Sequence, residues 1–169
     1  VDIIETGHPA ETEEIHHAVE EIAGRGLNAR IGAHARSLRK DVDLALQCGV
    51  QFLGVFYCVT DERLSHHSKD LNQATQQIAE VIAYAKEQNS DLIVRYTPED
   101  GVRSPFQNVL GAATEAVRVG ADVISIADTT GFMIPGTKNN MYDYVRRLKD
   151  ELDSRGLKPR IAVHCHNDR

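Results

Sequence analysis

The chain has 169 residues, of which 41% are apolar and 26% charged, enough for one sizeable core and ordinary for a soluble globular protein. A formal net charge of −6 lacks the basic footprint of a nucleic-acid binder, and with no Trp there is little to build a stacking platform for single strands. No apolar run reaches the length of a membrane span.

Short β-branched, apolar runs alternate with longer amphipathic ones. A strand over Val1–Ile4 runs into Glu5-Thr6-Gly7-His8-Pro9, followed by a helix over Glu11–Gly24. A second strand, Ala29–Ala33, ends in His34-Ala35-Arg36 and leads to a helix over Lys40–Gln47. A third, Phe52–Tyr57, is followed by Thr60-Asp61-Glu62-Arg63, a long charged segment and a helix over Leu71–Lys86, where Ile78, Val81, Ile82 and Ala85 recur at helical spacing. A fourth, Leu92–Tyr96, carries Arg95-Tyr96-Thr97-Pro98-Glu99-Asp100 at its end, before a helix over Pro105–Val119 built on Val109, Ala112, Ala113, Ala116 and Val117. A fifth, Val123–Ala127, runs into Asp128-Thr129-Thr130-Gly131, then a helix over Asn140–Arg155. A sixth, Arg160–His164, runs into Cys165-His166-Asn167-Asp168. Gly120 and Gly156 fall just past their helices, where a left-handed cap is expected.

Units of roughly 30 residues are the size of a βαβ repeat, and strands this apolar suit a parallel sheet. An open doubly wound sheet and a closed barrel both satisfy that pattern. An open sheet gathers ligands near its switch point, whereas all strand ends of a barrel converge on one mouth. Six polar strand ends in a row therefore favour the barrel. No strand is followed by a G-x-G-x-x-G turn, so nothing supports dinucleotide binding. The expected fold is α/β, a single partial (β/α)8 TIM barrel over residues 1–169, with a first and an eighth strand lacking. Six strands leave such a barrel two short, and strand edges left without their neighbours invite association.

His164 and His166 stand two apart on a strand, so both imidazoles share a face and can reach one divalent ion; Zn, Mn and Mg are the candidates. A structural histidine pair is the competing interpretation. Arg95 and Thr97 share a face in the same way, and a guanidinium is a natural clamp for a substrate carboxylate; an internal ion pair with Glu5 or Asp128 is the alternative. Glu5 is a candidate general base, or an ion-pair partner for a neighbouring Arg. His34 is placed to donate to a substrate oxygen, and Thr129 offers a hydroxyl at the mouth, although Asp128-Thr129-Thr130-Gly131 also reads as ordinary turn chemistry. His16 and His17 lie in a helix among glutamates and are expected in solvent, as are His66 and His67. Cys165 should face away from the two histidines and serve packing. Three unclustered cysteines, Cys48, Cys58 and Cys165, argue against a disulfide framework and suit a cytoplasmic protein. The first residue, Val1, has no initiator Met or signal peptide before it, so a start inside a longer protein is expected.

Val163-His164-Cys165-His166-Asn167-Asp168, Ile126-Ala127-Asp128-Thr129-Thr130-Gly131 and the segment from Tyr96 to Ser104 (YTPEDGVRS) resemble the isopropylmalate synthase and homocitrate synthase family, which belongs with the metal-dependent barrels that include hydroxymethylglutaryl-CoA lyase. Ile4-Glu5-Thr6-Gly7-His8-Pro9 is similar to that family's second-strand motif, with His8 where an aromatic is usual. The resemblance spans the second to the seventh barrel strand. It implies an acyltransferase that condenses acetyl-CoA with a 2-oxo acid on a divalent metal held by His164 and His166. Glu5 and Thr129 fall at catalytic positions, and His34, Arg95 and Thr97 at substrate-binding ones. Gly32-Ala33-His34-Ala35-Arg36 and Val94-Arg95-Tyr96-Thr97 look more like homocitrate synthase, in which a His and an Arg handle the distal carboxylate of 2-oxoglutarate. The family's metal-binding Asp on strand one and Asn on strand eight have no counterpart here. A homodimer with small-molecule substrates, and neither nucleic-acid nor membrane partners, is implied for the whole enzyme. A lyase of the same barrel group, or an inactive structural piece, are the alternatives.

Overall fold

The computed structural model describes residues 1–167. Six strands, β1 (Ile3–Glu5), β2 (Arg30–Arg36), β3 (Phe52–Cys58), β4 (Ile93–Glu99), β5 (Val123–Asp128) and β6 (Arg160–Cys165), form one sheet. Its order is β1-β2-β3-β4-β5-β6 and every pairing is parallel. An order that never reverses is that of a barrel wall, since a doubly wound sheet must switch direction. The helices are α1 (Glu13–Ala23), α2 (Arg39–Gln47), α3 (Asp61–His66), α4 (Leu71–Gln88), α5 (Phe106–Arg118) and α6 (Met141–Ser154).

Strand alternation separates two chemistries. One face carries Ile31, Ala33, Leu53, Val55, Val94, Tyr96, Ile124 and Ile126, all at most 2% exposed, and packs on Val42, Ala45, Ile78, Ile82, Ala112, Ala116, Leu148 and Leu152 of the helices. The other face carries Glu5, His34, Arg95, Thr97, Ser125 and His164, the concave side of a half-barrel. Phase along each strand therefore decides both what is core and what is site.

Local signals start the helices. Thr12, Thr60, Asp70 and Asn140 each accept a backbone N–H two or three residues into the turn, and Asp70 with Gln73 completes a capping box; each such cap contributes about 1 kcal/mol. Gly120 and Gly156 follow α5 and α6 with φ of +115° and +74°, conformations that favour glycine.

The strands run further than periodicity suggested. Arg36 still pairs with Phe56, and Pro98 and Glu99 with Tyr57 and Cys58, so residues expected in loops are held by ladder hydrogen bonds. The helix α3, capped by Thr60, occupies part of the segment expected as a loop. His16 is half-buried against Cys48, its Nδ1 3.7 Å from the sulfur, rather than free in solvent like His17. Cys165 and Val163 are exposed, whereas Ile161, earlier on the same face of β6, packs against the core.

Candidate active site

The register sets six of the seven candidate residues around one hollow. His34 lies opposite Gly54, Gly54 opposite Arg95, and Ala127 opposite His164. The β4–β5 pairing covers Arg95↔Val123 and Tyr96↔Ile124 only. Beyond it, Thr97 and Glu99 stand across from Ser125 and Ala127 and line a cavity of ≈ 240 Å³. His34, Arg95, Thr97, Thr129, His164 and His166 all line it. Glu5 lies outside that lining and enters through its bonds.

Arg95 is the longest reach in the site. From β4 its guanidinium reaches past β3 and β2 and bonds through Nη1 to Glu5 Oε1 on β1, while Glu5 Oε2 lies 3.4 Å from His34 Nε2. The crossing is possible because residue 54 is glycine: a Cβ there would sit 2.8 Å from Arg95 Nη2 and 3.2 Å from His34 Nδ1. Below, the Phe52 ring lies 5.3 Å from Arg95 Cζ, a cation–π contact. The hydrogen bond from His34, against the cost of burial and with help from the Arg95 charge, holds Glu5 down at about 2. Such a carboxylate is a weak base near neutral pH. Of the two roles expected for Glu5, the geometry contains the ion pair, which fixes Arg95 and His34.

Two buried polar atoms in this wall, Arg95 Nε and Thr97 Oγ1, have no hydrogen-bond partner among the described residues. Buried polar atoms are rarely left so, because each costs about 1–3 kcal/mol. Both belong to residues that line the cavity. The Thr129 hydroxyl accepts from the Asp100 backbone N–H at 3.0 Å, leaving its own proton available to donate. Asp128, only 1% exposed, accepts from the N–H groups of Phe132 and Met133 at 2.7 and 2.9 Å. It is turn chemistry, as one of the two interpretations had it.

His164 and His166 bring their Nε2 atoms to 3.2 Å from one another. Two imidazoles bonded at about 2.0–2.1 Å to one tetrahedral ion place their nitrogens roughly 3.4 Å apart, so the pair fits a shared divalent cation. Among the described residues no group of three or more His, Cys, Asp and Glu side chains forms a fuller cage. Asp168, expected behind the pair, lies outside the described residues.

Sequence reasoning passed over Gly54, Phe52, Phe56 and Ser125. A glycine inside an apolar strand was the available signal for the first, since such a position often marks a close approach.

The HMGL-like family model matches residues 1–169. The chain belongs to the HMGL-like family. A homocitrate synthase of Pyrococcus horikoshii is 37% identical over 169 residues, covering 99% of this chain and 44% of that protein. The homocitrate synthase AksA of Methanocaldococcus jannaschii is 36% identical over 167 residues, 98% of this chain and 39% of its own length. The chain thus spans less than half the length of these HMGL-like relatives. Among solved structures, the HMG-CoA lyase of Brucella melitensis superposes with a TM-score of 0.66 at 20% identity, over 96% of this chain and 57% of that one, and so supports the barrel fold.

Proposed function

We propose that this HMGL-like chain carries the barrel site of an acyltransferase that condenses acetyl-CoA with a 2-oxo acid, in the manner of a homocitrate synthase. The observation that carries the reading is the pair of unpartnered buried atoms, Arg95 Nε and Thr97 Oγ1, at a cavity that also holds two converging imidazoles. A site built to bond an anion leaves its donors unpaired until the anion arrives. Arg95 and His34, tied in place by Glu5, receive the distal carboxylate of a dicarboxylic oxo acid. A branched apolar oxo acid would leave Arg95 Nε buried and unsatisfied, which is costly. The Thr97 and Thr129 hydroxyls orient the oxo acid. His164 and His166 would hold a divalent ion of the Zn, Mn or Mg kind, which supplies Lewis-acid polarisation of the oxo group when bound. The homocitrate synthase relatives support this reaction class. For the whole enzyme we propose a cytoplasmic homodimer acting on small molecules. No described helix is long and apolar enough to cross a membrane.

The test is thiol release from acetyl-CoA by the full-length protein with 2-oxoglutarate, 2-oxoisovalerate or pyruvate, with and without added divalent metal. Metal-dependent release with a 2-oxo acid is expected. No release with any of the three refutes the reading, and cleavage of a 3-hydroxyacyl-CoA instead would assign the lyase chemistry.

A further inference from the structure

His8 stands outside the cavity just described, and its surroundings are unusual. Its side chain is 12% exposed, with Nε2 2.9 Å from Asp41 Oδ2 and Nδ1 3.1 Å from Glu11 Oε1. Both ring nitrogens face carboxylate oxygens. The Phe56 ring meets the imidazole edge-on, 5.8 Å between centroids. Asp41, at the start of α2, is 1% exposed and saturated with donors: the Arg36 backbone N–H at 3.2 Å, Arg36 Nε at 2.7 Å, Arg36 Nη2 at 3.1 Å and His8. The loop after β1, the end of β2 and the first turn of α2 are thereby locked to one carboxylate.

The output of this lock is the guanidinium of Arg36. It lies one inward-facing position beyond His34 on β2, and its Nη1 makes no hydrogen bond among the described residues. Arg36 lines a second cavity, of ≈ 530 Å³, together with Arg63 and Lys69. Those two cations have no carboxylate partner among the described residues. Phe56 and Glu99 wall both cavities, so the outer one neighbours the inner one. In a chain of net charge −6, this outer hollow collects three cationic side chains against two carboxylates, Glu11 and Glu99, and Glu11 is turned to His8 Nδ1.

We propose that His8 is a positioning residue: it clamps Asp41, and through Asp41 presents Arg36 at the outer cavity as a recognition group for a phosphate on the carrier of the acyl thioester. The identity of that carrier as coenzyme A rests on the condensing-enzyme reading above; the clamp itself rests on the His8, Glu11, Asp41 and Arg36 geometry. A bidentate, charge-assisted pair leaves a guanidinium little rotational freedom, so fixing Asp41 fixes the direction of the remaining donor.

The experiment uses the full-length protein, with H8F, H8Q, R36A and the H8F/R36A double variant. Coenzyme A binding is read by calorimetry, and KM and kcat are read where turnover exists. Phe keeps the ring's volume and removes both donors; Gln keeps one amide donor toward Asp41. H8F is expected to weaken coenzyme A binding, and to raise the KM for acetyl-CoA, by about tenfold, with kcat and the oxo-acid KM within about twofold. H8Q recovers most of the loss, and H8F adds nothing further in the R36A background, because both act through one guanidinium. Parent-like coenzyme A binding by H8F, additive losses in the double variant, or a change in the oxo-acid KM alone would each overturn the proposal. If H8F melts early, H8Q and R36A carry the same comparison. A parent that binds coenzyme A but condenses nothing refutes the reaction and leaves the clamp standing. A parent that binds no coenzyme A refutes both.

Discussion

Replacing Gly54 with Ala separates folding from site geometry. The new Cβ would lie 2.8 Å from Arg95 Nη2, 3.2 Å from His34 Nδ1 and 3.5 Å from Arg95 Cζ. None of these atoms is backbone, so the strand can stay and the side chains must move. The φ of Gly54 is one Ala can adopt, and Gly→Ala at a compatible position favours folding by about 0.4–1 kcal/mol through the unfolded chain. Displacing the Arg95 guanidinium from Glu5 costs a charged hydrogen bond of about 1.5–3 kcal/mol, and the same displacement misaims the substrate clamp. That range corresponds to roughly 10- to 100-fold in affinity for a carboxylate ligand. The expected signature of G54A is thus a Tm within a few degrees of the parent, a 10- to 100-fold weaker oxo-acid interaction (about 1.4–2.8 kcal/mol), and a Glu5 carboxyl whose titration moves up from about 2 toward the ordinary 4.5. Thermal denaturation, steady-state kinetics and carbon-detected NMR titration of Glu5 read the three quantities. An unchanged Glu5 titration, or a large fall in Tm with full ligand affinity, would refute the bridging role of Arg95 over Gly54.

Other consequences follow from the same geometry. H164A or H166A should abolish tight divalent-metal binding by calorimetry while leaving thermal stability within about 0.5 kcal/mol, since both side chains are exposed. Because the folded-state acidity of Glu5 is stronger than the unfolded value, its contribution to stability is present above pH 4.5 and lost as pH falls toward 2; acid melts should show this loss, and E5Q should remove it. Leu148, fully buried on the inner face of α6, should cost about 2–5 kcal/mol when cut to Ala, in denaturant unfolding. D70A, which removes the capping box of α4, should cost about 1 kcal/mol in the same assay.

Much of this architecture was legible in the sequence because the strands speak twice. Ile31, Ala33 and Ala35 mark the helix-facing side of β2, and Gly32, His34 and Arg36 the other, so fold and site are written in one alternating pattern. Helical spacing did the same for α4 and α5. The ends of β2 and β4 were harder, because polar residues at a barrel mouth look like loop residues while their backbones remain paired. The helix α3 is short and charged, and little but its Thr60 cap distinguishes it from a solvated segment. The bond between Arg95 on β4 and Glu5 on β1 reaches past β2 and β3; the sequence offered Glu5 as one of two partners, and only the placed strands show that the missing side chain of Gly54 makes room for it. The lowered pKa of Glu5, which follows from its contacts with His34 and Arg95, emerges only once those partners are placed. Cys165 was expected to pack, and alternation did give its direction; whether anything covers that face is a property of neighbours beyond the strand itself.

The most direct test of the account compares two oxo acids on one enzyme. With acetyl-CoA saturating and divalent metal present, kcat/KM for 2-oxoglutarate and for 2-oxoisovalerate is measured by thiol release in the full-length protein. If His34 and Arg95, held in place by Glu5, form a carboxylate clamp, 2-oxoglutarate should be preferred by about 100-fold or more, and R95M should erase that preference. Equal use of the two acids, or a preference for the branched one that survives in R95M, would contradict the clamp and the function built on it.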